Sequence, residues 1–199
     1  MSQALPKVYL ARHGETAWTL SGQHTGRTDI PLTAAGEENA RSLGTRLQGL
    51  KFVKVFTSPL QRAKRTCELA GFGNVCEADP QLMEWDYGQY EGRRTADIRK
   101  ERPNWNAFRD GCPGGESLPE LSARADGVME RLRACAGDVL LFGHRDFLRV
   151  LAVRWISLPV NQAQHLVMTT ATLSVLGYDH GLDEPAIHLW NDDRHLVRG

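Results

Sequence analysis

Arginine and histidine stand side by side at Arg12-His13, followed by Gly14, directly after the apolar run Lys7-Val8-Tyr9-Leu10-Ala11. That pairing suits phosphoryl chemistry. A guanidinium offers a planar fork of donors matched to phosphate oxygens. An imidazole nitrogen beside it can attack phosphorus and carry the phosphoryl group. Glycine at the next position lets the backbone approach closely. The competing reading is an exposed turn with two polar side chains. Two more groups of the same kind follow apolar runs: Arg62 in Ser58-Pro59-Leu60-Gln61-Arg62, and His144 in Gly143-His144-Arg145-Asp146. Taken singly, Arg62 reads as a solvated helix residue and His144 as a turn histidine. Their shared position at strand ends overturns both readings, because it brings Arg12, His13, Arg62 and His144 to one edge of a sheet.

The elements that must position them are legible as hydrophobic periodicity. Strand-like runs fall at about residues 7–12, 52–57, 138–143, 173–178 and 186–190. One helix opens after Thr33 as N-cap, with Leu43, Leu47 and Leu50 on its apolar face. A second is expected to open at Ser58, with Ser58 as cap and Pro59 in the first turn, and to run to about Ala70. Its N-terminus would favour an anion near Arg62. Two more span about Leu118 to Ala136 and Asp146 to about Trp155. Strand-helix alternation of this kind predicts an α/β three-layer sandwich, with a mostly parallel central sheet and helices on both faces. Ligands of such sheets collect at the strand carboxyl ends.

Residues 84–117 break the rhythm with aromatics, glycine and charge, from Glu84-Trp85-Asp86-Tyr87 to Trp105-Asn106-Ala107-Phe108-Arg109. So long an excursion inside an α/β chain is usually functional or disordered, and the aromatics argue against disorder. It is expected to form a small cap over the strand ends. Trp105 and Phe108 are read as packing within that cap rather than as substrate contacts.

The chain has 199 residues, read as one domain over 1–199 with the cap at about 84–117. Hydrophobic and charged shares of 41% and 24% are those of an ordinary soluble enzyme. Net charge is zero, so no general field favours nucleic acid or an anionic membrane. The one basic run, Arg93-Arg94 with Arg99, Lys100 and Arg102, alternates with Asp97 and Glu101 and reads as a solvated helix face. Cys67, Cys76, Cys112 and Cys135 form no Cys-x-x-Cys pair and have no zinc-site spacing. With neither a signal-peptide core nor a membrane-length apolar run, a cytoplasmic location is expected.

In this order, Arg12-His13-Gly14-Glu15-Thr16, Ser58-Pro59-Leu60-x-Arg62-Ala63-x-x-Thr66, the Glu84 segment and Gly143-His144 resemble the histidine phosphatase superfamily, the phosphoglycerate-mutase-like enzymes, over nearly the whole chain. The resemblance implies that His13 is a nucleophile that becomes transiently phosphorylated. Arg12, Arg62 and His144 would hold the phosphoryl oxygens and stabilise their charge. Glu84 matches the proton donor, which requires a raised pKa; without the match it reads as a surface loop carboxylate. Thr25 and Gly26 lie where members contact phosphate or substrate. No metal and no cofactor is implied, and the expected partner is a small-molecule phosphate ester.

Thr19 stands where family mutases carry Asn, and mutases add length and lid segments to keep water from phosphohistidine. Hydrolysis is therefore expected; phosphoglycerate mutase, or a catalytically idle binding member, is the alternative. The segments around Ser21–Gly26, Glu84–Gly92 and Trp105–Cys112 resemble the branch containing fungal sedoheptulose-1,7-bisphosphatase. That implies a sugar phosphate or bisphosphate, with Gln23, Tyr87 and Arg109 meeting hydroxyls or a distal phosphate. One departure bears on specificity. Arg145-Asp146 replaces the family's usual glycine and this branch's frequent histidine. Arg145 can add an anion contact, pair with Asp146 or Glu84, or point to solvent, and Asp146 is a candidate cap for the helix that follows.

Overall fold

The computed structural model describes residues 5–196. Its first half runs β1 (Val8–Arg12), α1 (Ala17–Ser21), α2 (Ala34–Leu47), β2 (Lys54–Thr57), α3 (Gln61–Leu69) and β3 (Cys76–Ala78). The cap follows, with a 3-10 turn at Gly88–Tyr90 and the short helices α4 (Thr95–Glu101) and α5 (Ala107–Asp110). The second half is α6 (Leu118–Arg133), β4 (Val139–Gly143), α7 (Arg145–Trp155), β5 (Leu173–Tyr178) and β6 (Pro185–Asp192).

One six-stranded sheet runs in the order β3-β2-β4-β1-β5-β6. The first four strands are mutually parallel, and β5 and β6 are antiparallel additions at one side. Side chains alternate across it as a pleated strand requires. Leu10 and Leu141 pack with α6 and α7 on one face, while Ala11, Leu140 and Phe142 meet Leu43, Leu47 and Cys67 from α2 and α3 on the other. Helices on both faces make the three layers expected from the alternation. Both faces being buried is also why β4 reads as a continuous apolar run, Val139-Leu140-Leu141-Phe142.

The register does the positioning. Arg12 pairs with Gly143, and Thr57 with Phe142. His13 and His144 therefore leave adjacent strands at the same level, with Ser58 beside them. Two sequence expectations need correction here. Ser58 does not cap α3: the helix starts at Gln61 with Leu60 as N-cap and no side-chain cap bond. Asp29, from a distant loop, accepts the Gln61 amide at 2.8 Å instead. Leu50 lies beyond α2, which ends at Leu47, and is exposed. Strand β3 was not anticipated, being three partly exposed residues without an apolar run.

The cap is held by its own aromatics. Trp85 packs against Phe108 and Tyr87, and Trp105 against Tyr90 and His24, with ring centroids 5.0 to 5.6 Å apart. Trp105 and Phe108 are buried, as their spacing suggested. Trp85 Nε1 donates to the Glu116 carbonyl, which ties the two ends of the excursion together.

Candidate active site

His13 is 3% exposed and pinned through its backbone. Its amide donates to Gly143 of β4, and its carbonyl accepts from Ala171, just before β5. Its Nδ1 lies 2.7 Å from the Gly14 carbonyl. A carbonyl can only accept, so Nδ1 carries the proton and Nε2 is left with its lone pair. Burial first, then Arg62 and Arg12, hold His13 well below the usual imidazole pKa despite that bond, so the ring is neutral at neutral pH. Gly14 does allow a close approach, but to protein: a Cβ there would overlap the Gly36 carbonyl in the first turn of α2.

Arg62 is fully buried, with Nη1 and Nη2 donating to the carbonyls of Thr28, Thr25 and Gly26 at 2.8 to 3.1 Å. That loop is itself held by the Glu91 carboxylate, which accepts the amides of Gly26 and Thr28. Arg12 Nη1 donates to the Met168 carbonyl at 2.6 Å. Burial and then Arg145 push Arg12 down to about 9, still protonated at neutral pH. The His144 ring lies 5.2 Å from that of His13, and its Nε2 is 2.7 Å from Ser58 Oγ. Ser58 thus orients a histidine instead of capping a helix. Burial and Arg62 hold His144 well below its ordinary value. Arg12 Nε, Arg62 Nε and His144 Nδ1 are buried and have no hydrogen-bond partner. Buried polar atoms without a partner are rare because each costs desolvation. Two guanidinium nitrogens and an imidazole nitrogen in that state near His13 suit an anion.

Glu84 is 4% exposed and accepts three backbone amides: Oε1 from Trp85 and Phe147, Oε2 from Asp146. Two of those are first-turn amides of α7, so Glu84 caps that helix from 62 residues before Asp146. Burial, then the charge of Asp146, raises its pKa against these three bonds. Asp146 is consequently no cap. Its buried carboxylate receives Tyr87 Oη at 2.7 Å, Arg145 Nε at 2.8 Å and Arg149 Nη1 at 2.7 Å. Burial pushes Asp146 up, but Arg145 and Arg149 outweigh it and keep the group ionised far below the usual carboxylate range. Of the open readings for Arg145, the pair with Asp146 is the one observed.

A cavity of about 500 Å³, large enough for a whole small ester, opens beside His13, while Arg62, His144 and Asp146 are buried behind its wall and do not line it. Arg12, His13, Glu84, Tyr87 and Arg145 line it, and so do Thr19, Gln23 and Thr25. Gln23 is committed to the Gly92 carbonyl and Ser21, and the Thr19 hydroxyl to the Thr16 backbone in the α1 capping box. Gly26 lies behind the wall, as the Arg62 and Glu91 partner described above. Arg109 is not brought to the site. Its side chain is 60% exposed, paired with Asp110 and bonded to the Asn104 carbonyl. The segment from Gln164 to Thr170 forms a wall that the sequence reading missed. Because β5 runs antiparallel to β1, the residues entering it emerge at the same edge as Arg12. Trp18, His24 and Arg149 also line the cavity without having been singled out.

An open α/β sheet that gathers buried imidazoles and guanidiniums at its parallel strand ends belongs to the class that binds anions there. The chain belongs to the histidine phosphatase superfamily (branch 1), whose family model matches residues 8–193. It is 38% identical to an acid phosphatase of Mycobacterium tuberculosis, covering 91% of each chain. It is 30% identical to sedoheptulose 1,7-bisphosphatase of Saccharomyces cerevisiae, over 95% of this chain and 94% of that one. A probable phosphoglycerate mutase of Shigella boydii is 33% identical, over 88% and 86% respectively. A solved structure from a Mycobacterium tuberculosis open reading frame superposes with TM-score 0.88 at 37% identity, covering 94% of this chain and 97% of that one. Among the described residues no helix is long and apolar enough to cross a membrane.

Proposed function

We propose that this protein is a metal-independent phosphomonoester hydrolase acting through phosphohistidine on a sugar phosphate or bisphosphate. The observation that carries this is His13, neutral, with Nδ1 tied to Gly14 and Nε2 free, near the unpartnered side-chain nitrogens of Arg12, Arg62 and His144. In this reading Nε2 attacks phosphorus as the bond to the leaving oxygen breaks. Arg12, Arg62 and His144 hold the three phosphoryl oxygens and supply the positive charge. Glu84, whose pKa burial and Asp146 raise, gives its proton to the leaving alkoxide. Water then attacks the phosphohistidine, Glu84 takes its proton, and the P–N bond breaks to release phosphate and restore both groups.

The mutase reading is favoured by the probable mutase among the relatives, whose similar span removes chain length as an argument against it. Hydrolysis is supported by the open mouth of the cavity, where Leu20 and Val167 line the wall at 66% and 70% exposure. Such a mouth admits water to the phosphohistidine. The sugar-phosphate range rests on the bisphosphatase relative. The free thiols fit a reducing compartment, and we place the reaction in the cytoplasm.

The test is phosphate release from a panel of sugar phosphates and phosphoglycerates with EDTA present, for wild type and His13→Ala. EDTA-resistant release that disappears in His13→Ala is expected. Activity that survives His13→Ala refutes the mechanism, and isomerisation of 3-phosphoglycerate without net release establishes the mutase instead.

A further inference from the structure

Arg145 has a place in the site that phosphoryl transfer does not use. The cavity is lined by His13, by Arg145 and Arg149 of the first turns of α7, and by the Gln164–Thr170 wall. These two arginines share one carboxylate, Asp146, so the trio carries net positive charge. They are not equivalent. Arg149 is buried, lies over the Phe108 ring at 4.9 Å and donates to Asp146 at 2.7 Å. It is a fixture of the core. The Arg145 side chain is 42% exposed, and its second bond to Asp146 is long, 3.4 Å from Nη2.

Removing Arg145 from Asp146 leaves that carboxylate with Arg149 Nη1 and Tyr87 Oη, both at 2.7 Å. The buried charge stays compensated, so the large penalty for stranding it does not arise. Arg145 is therefore the exchangeable member of the trio. Its charge also reaches the catalytic end, where it lowers Arg12 and, more weakly, His13. A guanidinium hinged at the first residue of α7 and facing a cavity of about 500 Å³ can take a carboxylate or phosphate in two parallel bonds.

Resting on the hydrolase reading, we propose that Arg145 is a specificity residue for a second anionic group on the leaving portion of the substrate. The preferred substrate is then a compact phosphomonoester carrying a further phosphate or carboxylate, which draws Arg145 away from Asp146. Arg12, Arg62 and His144 serve the transferred phosphoryl group, and Arg145 serves the other anion.

Binding is measured by calorimetry in the inactive His13→Ala background, so that turnover is not required. The probes are fructose 1,6-bisphosphate, 3-phosphoglycerate and glucose 6-phosphate, each titrated with and without Arg145→Gln. The two-anion probes are expected to lose at least tenfold in affinity on Arg145→Gln, and glucose 6-phosphate less than threefold, with Arg145→Lys restoring part of the loss. A larger loss for the bisphosphate than for 3-phosphoglycerate identifies the second group as phosphate; the reverse identifies carboxylate. Equal loss for all three overturns the proposal and assigns Arg145 to the transferred phosphoryl group. No loss for any overturns it and leaves Arg145 a partner of Asp146 only. If no probe binds even with Arg145 present, the hydrolase reading fails, and this inference with it.

Discussion

Glu84→Gln tests the proton donor more sharply than removal of His13, because the structure fixes what the change does. Oε1 accepts two amides, from Trp85 and Phe147, and Oε2 accepts one, from Asp146 at 3.1 Å. When Glu84 carries its proton, that proton belongs on Oε2, the oxygen with a lone pair to spare. Glutamine must keep its oxygen at the two-amide position, which turns its NH₂ toward the Asp146 amide. One hydrogen bond is replaced by donor against donor, costing about 1–3 kcal/mol of stability. In a chain of this size that lowers Tm by roughly 2–4 °C per kcal/mol. The catalytic loss is larger. An absent general acid costs about 10²- to 10⁴-fold, or ~2.7–5.4 kcal/mol in the barrier. That loss falls on esters with poor leaving groups. An aryl phosphate leaves without protonation, so phosphorylation of His13 stays fast while hydrolysis, which needs Glu84 as base, slows.

Stopped-flow assays of Glu84→Gln with p-nitrophenyl phosphate should therefore show a burst of about one phenolate per site and then slow turnover. An alkyl sugar phosphate should show no burst. Wild-type kcat/KM on the alkyl ester should fall as pH rises through the raised Glu84 pKa, and Glu84→Gln should lose that limb. If both substrates slow equally and neither bursts, Glu84 is not the acid, and its buried carboxylate serves only to cap α7.

Three further outcomes follow from the same geometry. His13 and His144 are held neutral in the fold, so the stability each contributes is complete above the unfolded histidine pKa and is lost as pH falls toward the folded one. Between pH 7 and 5 each should remove about 2 kcal/mol. Glu84 works in the opposite sense, its contribution being lost as pH rises. Denaturant midpoints should show His13→Ala losing less stability on acidification than wild type, and identical slopes would contradict the buried neutral imidazole. In Gly26→Ala a Cβ would sit 2.5 Å from the Trp85 carbonyl and 2.6 Å from Glu91 Oε2. The Arg62 anchor loop must shift, and kcat/KM should drop by about 10²-fold while circular dichroism is retained; unchanged kinetics would sink the anchor role. Tyr87→Phe removes one donor from ionised Asp146, costing about 1.5–3 kcal/mol by chemical denaturation; no change would mean Arg145 and Arg149 suffice for that carboxylate.

The parts of this site that the sequence exposes are those set by one strand and the residue after it. His13 and His144 follow runs buried on both faces, and parallel pairing of Arg12 with Gly143 does the rest. Such a run needs no tertiary information to be seen. Glu84 is different in kind. Its carboxylate is placed by amides of α7, 62 and 63 residues away, and nothing local distinguishes it from a loop carboxylate. The same fact explains the misplaced cap. The first-turn amides of α7 are already taken by Glu84, so Asp146 is free to face Tyr87 and the arginines.

The exposure of Arg109 is decidable from its neighbours. Trp105 and Phe108 are spaced three apart and define the buried side of the α5 region, and the residue directly after Phe108 turns about 100° away from it. A guanidinium there meets solvent and Asp110. Arg145 obeys the same rule with the opposite result. It too lies within a short step of a core residue of its helix, Phe147, but the outward side of the first turn of α7 is the wall of the cavity. What a helix exposes is legible in its periodicity. Whether the exposed side faces bulk water or a substrate depends on the cap and the Gln164–Thr170 segment closing around it, and those contacts are made across the fold.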